Sequence, residues 1–268
     1  MVNVSIIDRI CFIEMANPDH LNCLSDALCD RMIKAIKNAY AEECVGIVIK
    51  AQCRKGVWSA GHDIRELPQD GSDPLGFDVA MEKLLRTVQD VPIPVIACAG
   101  GTVWGGACDL CVSCDMIVAS EDATFAITPA KIGIPYNASG IMHFINQLGI
   151  NKAREMFFTA EAISAQDALN VGFVNRVAPA DKLDEVLETT LLAPLRRNSV
   201  MSISAIKRQF RILSRAATVI SSESFEKINS YRSKVYNGKD YREGINSFLE
   251  KRKPVYTGKA FDLDTPDE

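Results

Sequence analysis

The chain has 268 residues, of which 47% are hydrophobic, and its formal net charge is -4 with a pI near 5.5. This acidic balance argues against nucleic acid as a partner, and because no apolar run is long enough to cross a bilayer, no membrane partner is expected. The nine cysteines, together with an N-terminus that lacks a secretion-signal pattern, predict reduced thiols in a cytoplasmic protein.

The first half of the chain alternates predicted strands with predicted helices. Short apolar runs predict strands at 4–7, 10–15, 45–49, 95–99, 116–119 and 124–127. Apolar residues at helical spacing predict one helix after Ser25, which is a favourable N-cap, and a second helix across 81–88. This alternation predicts an α/β fold around one hydrophobic core.

The last third of the chain is predicted to be nearly all helical. Helices are predicted at 141–148, 152–159, 165–170, 182–192, 200–214, 224–236 and 241–251, with one further strand at 173–177. The pattern divides the chain into a core at 1–197, a C-terminal helical region at 198–258 and a loose acidic tail at 259–268.

Two glycine-containing turns are the candidate anion-binding features of the chain. The predicted strand at 95–99 leads into a stretch with two glycine pairs, the second at 105–106, and a helix is predicted directly after it. Free N–H groups at a helix N-terminus stabilise negative charge, and glycine lets a ligand approach the backbone closely. An earlier turn places Gly61 before another helical turn. The turns at His62 and Gly106 are therefore predicted to aim two N–H donors at one oxygen atom.

These two turns also carry a family resemblance. Ser59-Ala-Gly-His-Asp-Ile and Gly101-Thr-Val-Trp-Gly-Gly-Ala-Cys-Asp-Leu resemble the two oxyanion-hole segments of the crotonase (enoyl-CoA hydratase/isomerase) family. The resemblance extends from about residue 4 to residue 258 and includes the segments 159–175 and 248–254. It implies a crotonase-like spiral of ββα units with a C-terminal helical region. That region, 198–258, would assemble the chain into a homotrimer, or into a homohexamer built as a dimer of trimers.

The resemblance also implies the ligand and how it is held. An acyl-CoA thioester would bind with its carbonyl oxygen between the backbone N–H groups of His62 and Gly106. Phe248 and Lys251 match positions that contact the CoA nucleotide from a neighbouring subunit. No cofactor beyond the CoA moiety of the substrate is expected, and neither a metal nor biotin. The backbone expected to hold the adenine and pantetheine parts of CoA belongs to Ala60, Gly61, Asp63 and Ile64.

The reaction type is indicated by residues that differ within the family. Hydratases of the family use two glutamates, and the matching positions here hold Asp109 and Pro129, with Thr128 beside the latter. Neither proline nor threonine acts as a carboxylate base, so a two-carboxylate hydratase is disfavoured. Four segments, 59–64, 103–107, 127–129 and 133–137, are instead similar to family members that decarboxylate methylmalonyl-CoA to propionyl-CoA. Those members have a glutamate where this chain has Asp109, which leaves a direct catalytic role for this carboxylate open.

Decarboxylation of a malonyl-type thioester requires stabilisation of an enolate, which two preorganised N–H donors provide. Tyr136 is expected to hydrogen-bond the departing carboxylate and fix its angle. Thr128 is expected to do the same, or to orient the water that protonates the α-carbon. Two alternatives remain open: a hydratase or isomerase that uses Asp109 alone, and a non-catalytic acyl-CoA-binding paralogue.

Three cysteines at three-residue spacing, Cys108, Cys111 and Cys114, form a pattern that also occurs in metal and iron–sulfur sites. On a helix this spacing places the thiols along one face, and free cysteine is commonly buried. Because the sequence offers no evident fourth ligand, we interpret them as buried thiols and predict no metal site.

Overall fold

The structure is a computed structural model that describes residues 1–216 and 221–258. The strands are β1 (Val2–Ile7), β2 (Ile10–Met15), β3 (Gly46–Ala51), β4 (Val57–Ser59), β5 (Val95–Ala99), β6 (Thr102–Trp104), β7 (Met116–Ser120), β8 (Thr124–Ala126), β9 (Ile163–Ser164) and β10 (Arg176–Ala178). The helices are α1 (Asp26–Ala41), α2 (Ala80–Asp90), α3 (Gly106–Ser113), α4 (Ala138–Thr159), α5 (Ala165–Asn170), α6 (Leu183–Leu187), α7 (Ala193–Arg197), α8 (Val200–Ala216), α9 (Ser222–Tyr236) and α10 (Lys239–Leu249). The α/β fold class is confirmed.

The strands form two sheets that the chain visits in turn. A six-stranded sheet has the order β1-β2-β3-β5-β7-β10, and a four-stranded sheet has the order β4-β6-β8-β9. The pairs β3–β4, β5–β6 and β7–β8 each place their first strand in the larger sheet and their second in the smaller one, and a helix follows each pair. This is the predicted spiral of ββα units. Each turn of the spiral carries the chain from one sheet to the other.

The central strands of the larger sheet, β3, β5 and β7, are buried on both faces, whereas the edge strand β1 is largely exposed. In β3, Ile47 and Ile49 pack into the main core with α1 and α2, whereas Val48 faces the second core formed with α6 and α7. Strand β5 repeats this alternation, with Ala97 on the first face and Ile96 on the second. Parallel strands covered on both faces are expected to be continuously apolar. That is why short apolar runs predicted these strands.

Most helices lie close to their predicted positions. Helix α1 begins where predicted, and the hydroxyl of Ser25 accepts a hydrogen bond from the N–H of Leu28 at 3.3 Å. The helices predicted at 141–148 and 152–159 are the two arms of α4, which is interrupted at Gly149, where φ is 73°. The strand predicted at 173–177 begins later, as β10, because the N–H groups of Phe173 and Val174 donate to the carbonyl of Ala168 at the end of α5.

The C-terminal helices pack over one end of the spiral. The Tyr236 hydroxyl of α9 donates to the carbonyl of Pro135 at 3.0 Å, and the Tyr241 hydroxyl of α10 donates to the carbonyl of Pro68 at 2.7 Å. These bonds attach two loops of the core to the C-terminal helices. The acidic tail predicted at 259–268 lies outside the described residues. Within the described ranges, no helix combines the length and the apolar character needed to cross a membrane.

Candidate active site

Two turns and two loops enclose a small cavity of about 60 Å³. Strand β4 leads into the turn at 60–62, and β6, its neighbour in the smaller sheet, leads into the turn at 105–106. Because parallel strands end at the same edge, the two turns meet there. The residues that line the cavity are Ala60, His62, Ile64, Leu67, Leu75, Met81, Gly105, Gly106, Thr128, Pro129, Ile132, Ile134 and Tyr136.

Two glycines allow the turns to approach each other. Gly61 has a φ of 85°, and a side chain there would overlap the carbonyl oxygen of Trp104. Gly105 has a φ of 52° and a ψ of -124°, which a residue with a Cβ rarely adopts. Both positions therefore require glycine for the local backbone, and Gly61 requires it also for the contact between the turns.

The backbone nitrogens of His62 and Gly106 lie close together at this cavity. A Cβ placed on Gly106 would be 3.5 Å from the nitrogen of His62, and a Cβ placed on Gly61 would be 3.0 Å from the nitrogen of Gly106. Neither N–H group has an acceptor among residues 1–216 and 221–258. Gly106 is also the first residue of α3, where an N–H group is free and the helix dipole favours negative charge.

The side chain of His62 is neutral. Burial lowers its pKa below the ordinary value of 6.5, although the negative charges of Asp26 and Asp63 act in the opposite direction. Its Nδ1 atom is buried and has no hydrogen-bond partner in the described part of the chain. The ring therefore contributes a polar edge, and no positive charge, near the cavity.

The other walls are apolar apart from two hydroxyl-bearing residues, Thr128 and Tyr136. The Thr128 hydroxyl lies 3.1 Å from the position of a Cβ on Gly105, so it borders the glycine turn. Of the residues described here as lining the cavity, none carries a carboxylate. The cavity thus combines two free N–H donors with a largely apolar wall.

Tyr136 is connected to a buried carboxylate behind the wall. Its hydroxyl donates to Asp109 Oδ2 at 2.9 Å, and Nδ1 of His143 lies 2.8 Å from Asp109 Oδ1. Asp109 is fully buried in the first turns of α3. Burial, the negative charge of Asp109 and its hydrogen bond raise the pKa of Tyr136 well above the ordinary value. The phenol therefore remains protonated, and its proton is directed to Asp109.

A second buried carboxylate, Glu82, lies on α2 next to this group. It accepts a hydrogen bond from Nδ2 of Asn137 at 2.7 Å, and Asn137 caps the start of α4 through Gly140. Burial and the charge of Asp109 raise the pKa of Glu82, and the hydrogen bond from Asn137 partly offsets this increase. Neither Glu82 nor His143 was predicted to belong to the site. The available signals were weak: a carboxylate bordering an apolar helix face, and one of three histidines in the chain.

The structure brings some of the predicted residues together and leaves others apart. Ala60 and Ile64 line the cavity with the four residues predicted to be catalytic, His62, Gly106, Thr128 and Tyr136. Gly61 shapes the turn, and Asp63 accepts two hydrogen bonds from the side chain of Arg65. Phe248 and Lys251 are exposed near the end of α10 and do not line the cavity.

The three closely spaced cysteines are buried or half-buried free thiols. Cys108 Sγ lies 3.1 Å from the carbonyl of Val103, and Cys114 Sγ lies 3.3 Å from the carbonyl of Leu110. Burial raises the pKa of the Cys108, Cys111 and Cys114 thiols. In the described residues, no group of three or more His, Cys, Asp or Glu side chains is arranged to hold a metal ion.

The arrangement agrees with a family match that spans almost the whole chain. The family model described as enoyl-CoA hydratase/isomerase matches residues 6–259. The chain belongs to this family. Family membership, together with the spiral of ββα units, confirms the resemblance drawn from the two turns.

Relatives within the enoyl-CoA hydratase/isomerase family differ in activity. Methylmalonyl-CoA decarboxylase of Escherichia coli (strain K12) is 38% identical over 257 residues, which cover 96% of this chain and 98% of that protein. The mitochondrial enoyl-CoA hydratase of Pongo abelii is 31% identical over 245 residues, which cover 90% and 81%, respectively. A solved structure of methylmalonyl-CoA decarboxylase in complex with 2-nitronate-propionyl-CoA has a TM-score of 0.92 at 38% identity, and the match covers 96% of this chain and 98% of that one. These similarities support a family activity on a CoA thioester.

Proposed function

We propose that the protein decarboxylates methylmalonyl-CoA, or a close malonyl-type CoA thioester, to propionyl-CoA and carbon dioxide. One observation carries the proposal: two free N–H groups face a cavity whose described lining has no carboxylate. An oxyanion site without a base in reach suits a reaction that needs an enolate and no proton abstraction. The similarity to methylmalonyl-CoA decarboxylase over nearly the full length of both chains supports the same choice.

The proposed reaction begins with the substrate oxygen bound by the backbone N–H groups of His62 and Gly106. The bond between the α-carbon and the carboxylate breaks, its electron pair moves into the thioester, and carbon dioxide leaves. The two donors stabilise the enolate oxygen more strongly as its charge develops, and one such donor typically contributes about 2.7–4 kcal/mol. A proton then adds to the α-carbon and gives propionyl-CoA.

The walls of the cavity would orient the departing carboxylate. Bond breaking is fastest when this group is perpendicular to the thioester plane and partly removed from water. We assign Thr128, whose hydroxyl has no hydrogen-bond partner among the described residues, to the carboxylate or to the water that supplies the proton. Tyr136, held in place by its bond to Asp109, would limit the space on the other side of the carboxylate without donating a hydrogen bond to it.

The alternatives are less well supported by the geometry. A hydratase or isomerase would need a carboxylate that reaches the substrate, and Asp109 is fully buried behind Tyr136 with both oxygens bonded. A non-catalytic acyl-CoA-binding protein would not need a preorganised pair of N–H donors. We therefore keep both as outcomes that the experiment distinguishes.

We also propose that the active form is a homotrimer, or a homohexamer of two trimers, assembled through 198–258. Helix α8 supports this, because it exposes large apolar side chains to solvent, and extended apolar surface marks interaction sites. Phe248 and Lys251 would then contact the CoA nucleotide bound to a neighbouring subunit. Light scattering measures the mass directly, and a monomer at working concentration would contradict the assembly. The exposed apolar residues of α8 are Met201, Ile206, Phe210, Ile212 and Leu213.

The remaining expectations concern cofactors and compartment. The proposed chemistry requires no metal and no biotin, since the thioester itself accepts the electron pair. The nine cysteines are all unpaired, which fits a reducing compartment such as the cytoplasm. Activity that resists chelators and avidin would support the cofactor proposal.

The substrate panel that tests this proposal contains methylmalonyl-CoA, crotonyl-CoA and propionyl-CoA. Purified protein is incubated with each thioester, and the products are identified by mass spectrometry. We expect propionyl-CoA from methylmalonyl-CoA and no hydration of crotonyl-CoA. Turnover of crotonyl-CoA alone would favour the hydratase or isomerase, and binding of all three without turnover would favour the non-catalytic protein.

A further inference from the structure

We propose that His143 is a positioning residue that holds Asp109 and Tyr136 and adjusts the charge that the site presents to the substrate carboxylate. In the protonated state, His143 would cancel the negative charge of Asp109. In the neutral state, that charge would remain behind the cavity wall and would oppose binding of a second carboxylate. The inference deepens the proposed function and rests on it, because only a malonyl-type substrate carries a free carboxylate next to its thioester.

Two contacts connect the cavity wall to His143 through Asp109 on α3. Tyr136 lines the cavity and donates to one oxygen of Asp109, and His143 on α4 lies 2.8 Å from the other oxygen. Asp109 is fully buried, whereas the side chain of His143 is 19% exposed. Each carboxylate oxygen therefore has one side-chain partner, and removal of His143 would leave one oxygen without it.

The direction of the Tyr136 proton determines what a ligand encounters. A phenol has one proton, and here Asp109 accepts it, so only lone pairs remain for a ligand. A substrate carboxylate beside Tyr136 would thus meet oxygen lone pairs with the charge of Asp109 behind them. Protonation of His143 would turn the buried carboxylate into one half of an ion pair and reduce this repulsion.

The partner of His143 on its other side suits both protonation states. Gln89 Nε2 lies 2.9 Å from His143 Nε2 and 3.2 Å from the hydroxyl of Ser113. In this orientation the amide donates to a neutral imidazole and to the serine. A half-turn of the amide would place its oxygen there, where it would accept from a protonated imidazole and from the serine hydroxyl. Gln89 therefore leaves His143 free to titrate without losing a hydrogen bond.

Charged groups on three packed elements surround the imidazole. Burial lowers the pKa of His143, but its hydrogen bond to Asp109, the charge of Asp109 on α3 and the charge of Glu82 on α2 outweigh burial. The pKa is raised above 6.5 despite the opposing charge of Arg211 on α8. Arg86, also on α2, contributes positive charge near Glu82. His143 therefore keeps its proton to a higher pH than an ordinary histidine, and loss of that proton would affect substrate binding.

The test compares two ligands that differ in one carboxylate. Propyl-CoA, a thioether, lacks the group, and 2-carboxypropyl-CoA carries it on the same thioether, which cannot decarboxylate. Calorimetry gives the Kd of both ligands between about pH 6.5 and about pH 9. The ratio of the two Kd values cancels titration of the CoA phosphates. We expect this ratio to shift about tenfold against the carboxylate ligand as the pH rises in the wild-type protein.

Two variants separate charge from packing. In His143→Gln the side chain still donates to Asp109 but no longer titrates, so the Kd ratio should be constant with pH. In His143→Ala the kcat should fall by about tenfold or more, because Tyr136 loses its fixed support, and His143→Gln should restore most of it. Thermal unfolding confirms that both variants fold before binding is measured.

A pH-independent Kd ratio in the wild-type protein would overturn the inference, as would an unchanged pH dependence in His143→Gln. Failure of the proposed function has a different signature. If the wild-type protein releases no propionyl-CoA from methylmalonyl-CoA while the Kd ratio still depends on pH through His143, the decarboxylase proposal fails and the charge adjustment stands.

Discussion

Replacement of Gly106 by alanine perturbs the proposed oxyanion site with a single methyl group. The new Cβ would lie 2.5 Å from Cε of Met81 and 2.9 Å from its Sδ, so Met81 must move. The same methyl would lie 3.5 Å from the backbone nitrogen of His62. It would therefore occupy space beside both N–H donors and displace a bound thioester oxygen from them.

The effects on folding and on catalysis differ in size. Methionine is flexible, so Met81 can adapt to the added methyl group. Overpacking against Met81 costs about 1–3 kcal/mol, so the net loss of stability should be small. Loss of one oxyanion donor costs about 2.7–4 kcal/mol in the transition state, which corresponds to a fall in kcat of about 10² to 10³-fold.

The assay measures kcat and KM for methylmalonyl-CoA together with the free energy of unfolding. Gly76→Ala is the matched control, because its Cβ would make only ordinary contacts, at 3.4 Å with Asp73 O and 4.0 Å with Val79 Cγ2. We expect Gly106→Ala to fold and lose activity, and Gly76→Ala to retain both. A Gly106→Ala protein with wild-type kcat would refute the assignment of this turn.

Three further predictions concern the network and the core. Tyr136→Phe should lower kcat about 10²-fold and change the Kd for propionyl-CoA far less, measured by steady-state kinetics and calorimetry. A weaker Kd with an unchanged kcat would assign Tyr136 to binding alone. Lys207→Met should reduce the free energy of unfolding in urea by about 3 kcal/mol, because Lys207 Nζ binds Asp115 at 2.7 Å and two backbone carbonyls. An unchanged urea midpoint of unfolding would contradict this. The His143–Asp109 pair should stabilise the fold fully below pH 6.5 and lose this contribution as the pH rises through the raised pKa of His143. Urea unfolding at several pH values measures this change in stability. His143→Gln should lack that part of the pH dependence.

Much of the fold could be predicted from the sequence because burial on both faces makes the long parallel strands apolar throughout. The two glycine turns could also be predicted, since only glycine fits a close backbone approach and positive φ. These features identify the backbone donors at His62 and Gly106 with no knowledge of the tertiary structure. They depend on local chemistry, which the sequence displays directly.

The features that the sequence did not predict are very short strands and contacts between residues that are distant in the sequence. Strands β4 and β6 have three residues each, too few for a periodic pattern, and no strand was predicted at either position. The pairing of Asp109 with His143 joins residues 34 positions apart on different helices. Helix periodicity places both side chains toward the interior, but it does not show that they meet. Tyr136 was expected to hydrogen-bond the departing carboxylate, but in the structure its hydroxyl donates to Asp109.

Decarboxylation of methylmalonyl-CoA in D2O tests the central claim most directly. An enolate formed by loss of carbon dioxide must take one hydrogen from the medium at the α-carbon. The account predicts one carbon dioxide released per propionyl-CoA and one deuterium at that carbon, both at the rate of substrate loss. Intact methylmalonyl-CoA after prolonged incubation with folded protein, or propionyl-CoA without deuterium, would contradict it.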